Sequence, residues 1–466
     1  VIAFHLCASD FYLWQIVFVV SEMMTEPVFG FLAFTGGAYE GAIVRDMRLA
    51  NSLHRRGYRV VIYWVMETNR KLVDPGIQQR YFLRGGRYSL RRPRGFMELL
   101  GRGVSSLYSR ERRQRFMQQH PKMVSSLLGN FVVSMCDSAD DPGPGIRLEK
   151  LLSRDGVTHL LPTFVMACPI ALAAKERGRH PFEYLATFQG EEIFANYAQE
   201  RNRLEDYYAM LRRCVAGSKW PAIAVSDDYA ARLREEVGID GSRLTTIYPG
   251  IELPALGEKP AFSVLEEKLP GLKADVPIVS YLGRQDSEKG IDLLLYAARM
   301  LRERGVKFQL VICGGSSFGW KYQEVCRSIA DHLRLGIYWK RRVSDAFRTA
   351  LYAHSRCVVY PSIHREPFGM VAAEAMSHGT PVVVPDHGGV AEVIGKDDYA
   401  GGLTFRVWDS GDLAEKIGRV VMDDELYGRL AGNTRKLAAR FDVEVMTDRV
   451  LEHVAVNTET RNPKPE

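Results

Sequence analysis

PSIHREPFGMVAAEAMSHGTPVVVPDHGGVAEVI, residues Pro361 to Ile394, sets two carboxylates, Glu366 and Glu374, eight positions apart around Pro-Phe-Gly-Met. The apolar run CVVYPS (Cys357 to Ser362) predicts a buried strand, and Glu366 falls on the loop leaving it. Phe368 to His378 predicts a helix closed by Gly379, so the backbone N–H groups of Phe368, Gly369 and Met370 form its unpaired, electropositive start. Such a start, with a glycine in it, suits an anion such as phosphate. Glu374 lies inside the helix, where an ionised carboxylate, an acceptor only, can take both hydroxyls of a ribose diol. One carboxylate for ribose, amides for a diphosphate and Glu366 at the loop tip for a transferred sugar together describe a sugar nucleotide. The plainer alternative is an amphipathic helix with two solvated glutamates.

Outward from this stretch, strands alternate with helices along most of the chain. VFGFLAF, YRVVIYW, THLLPTF, FEYLATF, AIAVS and RLTTIYP precede a Pro/Gly-rich linker, LPALGEKPAF. VPIVSYLG, KFQLVICGG, GIYWKRR, CVVYPS and PVVVP follow it. This order predicts an α/β protein of two doubly wound, Rossmann-like domains, and 466 residues suit two domains of about 200 each. The expected division is an N-terminal extension at 1–27, one domain over 28–255, a second over 270–440, and a helix at 441–457 that crosses back to the first. Gly36 and Gly37 follow the first strand, at the strand end where such sheets bind ligands.

Quoted together, the strand and loop, the E-x7-E pair, Pro-Phe-Gly, PVV and Gly388-Gly389-x-x-Glu392 resemble the donor-binding segment of family-4 retaining glycosyltransferases of the type B, two-domain fold. The resemblance is strong over 276–457 and looser over 28–250. It implies hexose transfer from a nucleoside diphosphate sugar to a hydroxyl acceptor, a glycan, a glycolipid or similar. The N-terminal domain would hold the acceptor and the C-terminal domain the donor. Gly283-Arg284 and Lys289-Gly290 resemble the family's GR-x-x-x-x-KG element, whose Arg and Lys hold the diphosphate, and Gly314, in the next glycine turn, is counted with the donor residues. By the same resemblance Glu366 binds the transferred sugar, Glu374 binds the ribose, and Gly36 and Gly37 face the donor phosphate. Many relatives carry a histidine after the strand FEYLATF; here the residue is Gln189, which can position a hydroxyl but cannot act as a base. Where the family lays its nucleobase, after Ile337 to Trp339, this chain has Lys340-Arg341-Arg342.

A net charge of +6 is modest, and no nucleic-acid signature accompanies it. Seven cysteines, an odd number without metal-ligand spacing, read as a reducing, cytoplasmic setting, and Cys313 and Cys357 read as core residues. No carboxylate pair or His/Cys cluster calls for a metal, so the expected co-substrate is the sugar nucleotide alone, with no cofactor. Residues 84–115 carry ten arginines interleaved with apolar side chains. That stretch reads equally as a solvated basic helix pair or as a surface resting on anionic lipid at the inner membrane face, or holding an anionic or lipid-linked acceptor. Residues 1–22 are apolar but interrupted, with no basic start, and read as an optional extension or a membrane-surface anchor. Two other functions fit a similar fold: a sugar-nucleotide epimerase and a non-catalytic sugar-nucleotide sensor.

Overall fold

The computed structural model describes residues 26–33, 40–65, 72–82, 132, 136, 142–190, 192–255, 259–316 and 321–454. The glycine loop with Gly36 and Gly37, the basic stretch 84–115 and residues 1–22 lie outside the described residues. Among the described residues fourteen strands are numbered in chain order: β1 Val28–Ala33, β2 Arg59–Trp64, β3 Gln78–Tyr81, β4 His159–Pro162, β5 Glu183–Tyr184, β6 Thr187–Phe188, β7 Ala222–Ala224 and β8 Leu244–Thr246 in the N-terminal half. The C-terminal half holds β9 Ile278–Leu282, β10 Gln309–Cys313, β11 Ile337–Lys340, β12 Cys357–Val359, β13 Val382–Pro385 and β14 Gly402–Phe405. Every pairing between these strands is parallel.

The sheets run β3-β2-β1-β4-β5, β6-β7-β8 and β11-β10-β9-β12-β13-β14. In both halves the order reverses direction beside the first strand, which is the doubly wound arrangement that opens a crevice at the carboxyl ends. Helices cover both faces, so the central strands are buried along nearly their whole length, as the apolar runs FGFLA, VVIYW and VVVP require. The expected α/β fold of two Rossmann-like units is therefore what the chain adopts.

FEYLATF departs from the single strand expected. Glu183–Tyr184 pairs with β4, and the chain then turns so that Thr187–Phe188 pairs with β7. Leu185 N–H still donates to Leu160 O at 3.0 Å, and Ile223 N–H donates to Ala186 O at 2.9 Å. One run of backbone thus joins the two N-terminal sheets. PGPG at 142–145 forms the first turn of a helix, Pro142–Asp155.

Just before the linker, Ile251 lies beside Asp442 in an isolated parallel bridge, with Ile251 N–H to Phe441 O at 2.7 Å and Val443 N–H to Ile251 O at 2.9 Å. The helix Val443–His453 then buries Val443, Met446, Val450 and Leu451 in the same core as Phe29, Phe31, Ile62 and Leu53 of the N-terminal sheet and its first helix, Glu40–Arg55. Among the described residues no helix is long and apolar enough to cross a membrane.

Candidate functional site

The carboxyl ends of β9, β10 and β12 converge, and glycines permit the approach. Gly290, at φ +62°, has no room for a side chain, since a Cβ would stand 2.1 Å from Pro361 O. Gly314, at φ +127°, is pressed on Gly283 in the same way, with a Cβ 1.7 Å from that carbonyl oxygen. Gly314 thus serves backbone packing between two loops. The β9 and β12 loops are also stitched by backbone hydrogen bonds: Glu288 O accepts from Ile363 N–H at 3.1 Å and from His364 N–H at 3.3 Å.

Lys289 and Glu366 meet at the centre of this junction. Both are buried, Lys289 Nζ donates to Glu366 Oε1, and Ser362 Oγ donates to the same oxygen at 2.8 Å. Burial by itself would raise the Glu366 carboxyl; the Lys289 ammonium, aided by His364 and the two hydrogen bonds, outweighs it and lowers the pKa from 4.5 to about 2. Glu366 is therefore an anion at neutral pH. Arg284 lies alongside, but its Nη1 bonds Asp286 Oδ2 at 2.6 Å and its Nη2 bonds Glu288 Oε1 at 2.9 Å. Asp286 also accepts from Ser316 Oγ at 2.6 Å, which fixes the loop after β10. Arg284 and Lys289 thus face three carboxylates, two of them from the QDSE spacer of the element itself.

The helix is shorter than expected, Met370–Ser377, because Gly369 at φ +92° sets its start and a Cβ there would meet Val390 Cγ2 at 2.5 Å. The first amide of the segment to bond back is that of Ala372, to Gly369 O at 3.0 Å. The amides of Phe368, Gly369 and Met370 thus stand ahead of the helix's own hydrogen bonding. The Phe368 ring packs edge-on against Phe441, with centroids 5.2 Å apart.

Glu374 faces the N-terminal domain. Its Oε1 accepts from Arg48 Nη2 at 2.8 Å and its Oε2 from Tyr352 OH at 3.2 Å, while Arg48 Nη1 also reaches Gly250 O at 3.3 Å. Gln189 sits in the turn after β6, yet its Nε2 is spent on both oxygens of Asp46, at 3.2 Å each, and on Thr163 O. Lys340 ends β11, and its carbonyl accepts from Gly314 N–H at 2.8 Å, so the basic triplet starts beside the glycine turn.

Gly388, Gly389 and Glu392 form a seam between the domains. A Cβ on Gly389 would lie 2.0 Å from Pro367 O and 2.6 Å from Ser226 Oγ. Glu392 accepts from the N–H groups of Asp227 at 3.1 Å and Asp228 at 2.6 Å, which open the N-terminal-domain helix Asp227–Arg232, and from Tyr248 OH at 3.1 Å. Arg365 adds a pair with Asp228, Nε to Oδ2 at 3.1 Å. Sequence reasoning found Glu392 but not its job, and missed Asp286, Glu288, Arg48 and Tyr352.

No group of three or more His, Cys, Asp or Glu placed to hold a metal occurs among the described residues. Cys313 and Cys357 are buried in β10 and β12, and burial pushes both thiols up to about 12, which suits core residues.

Residues 266–437 match the family model described as Glycosyl transferases group 1. The D-inositol 3-phosphate glycosyltransferase of Xylanimonas cellulosilytica is 31% identical over 258 residues, 51% of this chain and 59% of that protein. The Salinispora arenicola protein of the same name is 29% identical over 53% of this chain and 55% of its own length. The chain thus spans little more than half the length of these curated relatives. Among solved structures, sucrose-phosphate synthase from Thermosynechococcus elongatus superposes with a TM-score of 0.67 at 20% identity, over 92% of this chain and 98% of that one. Anabaena HepE in complex with UDP-glucose superposes with a TM-score of 0.64 at 16% identity, over 92% and 99%. The expected similarity to family-4 glycosyltransferases, and with it the type B two-domain fold, is borne out.

Proposed function

We propose that this chain is a retaining hexosyltransferase that moves a sugar from a nucleoside diphosphate to a hydroxyl acceptor. The observation that carries the reading is the buried Lys289–Glu366 pair at the converging strand ends, beside Arg284 and the amides that open the helix Met370–Ser377. Glu366, held ionised, accepts hydrogen bonds from hydroxyls of the transferred sugar. Arg284, Lys289 and the amides of Phe368, Gly369 and Met370 meet the diphosphate. Each oxygen of Glu374 has two acceptor sites, so ribose hydroxyls can bond oxygens that Arg48 and Tyr352 already orient. The similarity to group 1 glycosyltransferases, and to a structure solved with UDP-glucose, supports this assignment of the donor.

In the proposed step the bond from C1 of the hexose to the diphosphate oxygen breaks while the acceptor oxygen bonds C1 on the same face. The acceptor's proton passes to the departing diphosphate oxygen. No protein base is needed, which accords with Gln189 at the turn and with its amide being committed to Asp46. An epimerase would need acid and base groups at the sugar, and Gln189 is neither. Charge growing on the diphosphate is met by fixed cations and amides, a large catalytic contribution that requires no metal. By the family resemblance Gly36 and Gly37 are assigned to the donor phosphate, and the ten arginines of 84–115 suit an anionic membrane or a lipid-linked acceptor.

The test is turnover against a panel of UDP, GDP and ADP hexoses, in EDTA and with magnesium. We expect one donor to be consumed in EDTA at the rate seen with magnesium. A donor that binds but yields neither hydrolysis nor transfer points to a sensor, and an epimerised donor points to the epimerase.

A further inference from the structure

The turn carrying Gln189 rests on a charged pair that the donor chemistry does not use. Arg45 and Asp46 belong to the helix Glu40–Arg55 and are 1% and 2% exposed. Arg45 Nη1 donates to Asp46 Oδ1 at 2.7 Å, and both oxygens of Asp46 accept from Gln189 Nε2. The remaining polar edge of the guanidinium is different. Neither Nε nor Nη2 of Arg45 finds an acceptor among the described residues.

Those two N–H groups form the side-on fork of the guanidinium, whose spacing matches two oxygens of one phosphate or carboxylate. A buried cation with unmade hydrogen bonds is costly, and in a native structure such a group calls for a specific reason. Its position supplies one. Gln189 Nε2 also donates to Thr163 O, and Thr163 N–H donates to Leu32 O at 3.1 Å, so the cluster lies at the carboxyl ends of β1, β4 and β6. Doubly wound sheets take ligands at those ends. Arg284, Lys289 and Glu366 belong to the other domain, so this fork is a separate cationic group on the acceptor side of the cleft.

We propose that the Nε/Nη2 edge of Arg45 binds an anionic group, a phosphate or a carboxylate, carried by the acceptor. This rests on the reading above that the N-terminal domain holds the acceptor. Asp46 fixes the guanidinium through Nη1 and Gln189 fixes Asp46, which makes both positioning residues and gives Gln189 a role without proton transfer. The fork favours an anion over a neutral polyol, because two charged oxygens match its paired N–H groups and make the stronger, charge-assisted hydrogen bonds.

Inorganic phosphate is the probe, titrated into the full chain by calorimetry and thermal shift, with UDP, GDP and ADP tried as donor-site ligands. Arg45→Lys keeps the charge but has no fork, and Arg45→Met/Asp46→Leu removes both charges so that neither is left buried alone. Phosphate should raise the melting temperature of the parent protein and bind at least tenfold more weakly to both variants. The nucleoside diphosphate should bind all three proteins alike without displacing phosphate. The proposal is overturned if phosphate has no effect on the parent, if it binds the variants equally well, or if the nucleoside diphosphate displaces it, since the fork would then serve the donor. If no nucleoside diphosphate binds the parent, the donor reading fails, and the phosphate comparison still decides the role of Arg45.

Discussion

Glu366 and Lys289 share one buried hydrogen bond, so neither can be changed as if it stood alone. The carboxyl's pKa is lowered from 4.5 to about 2, so the pair stabilises the fold above pH 4.5 and that contribution is lost as pH falls towards 2. Lys289→Met leaves a buried carboxylate without its cation and should cost about 3–5 kcal/mol of stability. Lys289→Met/Glu366→Leu should recover most of that while remaining inactive, as read by urea denaturation of both variants. Equal losses in the single and double variants would mean the pair is not coupled. Arg284→Met should lower kcat about a hundredfold with a smaller change in donor affinity, because only contacts that strengthen as the diphosphate departs accelerate the step. A raised KM at full kcat would make Arg284 a binding clamp. At this scale the sequence was legible for the residues that resemble a motif and silent about the groups between them. Asp286 and Glu288 read as spacer, although they hold Arg284, because side-chain direction on a tight loop cannot be inferred from spacing. Arg48 and Glu374 are 326 positions apart, and no local pattern predicts their contact.

Among elements, the long strands were legible because burial on both faces makes them continuous apolar runs. What escaped were short or polar edges. β3 is Gln-Gln-Arg-Tyr and β14 is Gly-Leu-Thr-Phe, each at the end of a sheet, where one neighbour suffices and apolar content is not enforced. FEYLATF was legible as strand, but its division between two sheets depends on partners far along the chain. The Gly-Gly-x-x-Glu segment gives the clearest element-level prediction. Glu392 satisfies the opening amides of the helix Asp227–Arg232 from the opposite domain, in the manner of a cap supplied in trans. Glu392→Ala should therefore cost about 1–2 kcal/mol in urea denaturation. Nucleotide affinity measured on the isolated donor reaction should change little; a variant as stable as the parent would show that the seam contributes nothing.

At the scale of the molecule, the two-domain plan follows from the alternation of strands and helices, but the way the halves are tied does not. The helix Val443–His453 belongs by sequence to the C-terminal half and by packing to the core of the first, where it buries Val443, Met446, Val450 and Leu451. Each such side chain contributes roughly 1.5–3 kcal/mol when fully buried, so the helix should make both halves unfold together. Calorimetry of the full chain should give one transition, and removal of residues 443–466 should separate or abolish the first half's share; two transitions in the intact chain would contradict the tie. The central claim is that the crevice between these halves transfers a hexose with retention. Its most direct measurement is proton NMR of the anomeric signal during turnover of an α-linked nucleoside diphosphate hexose by the parent protein and by Glu366→Gln. The account predicts an α-configured product first formed by the parent, with turnover about a hundredfold slower in the variant at similar nucleotide affinity. A β-configured first product, or undiminished turnover in Glu366→Gln, would contradict it.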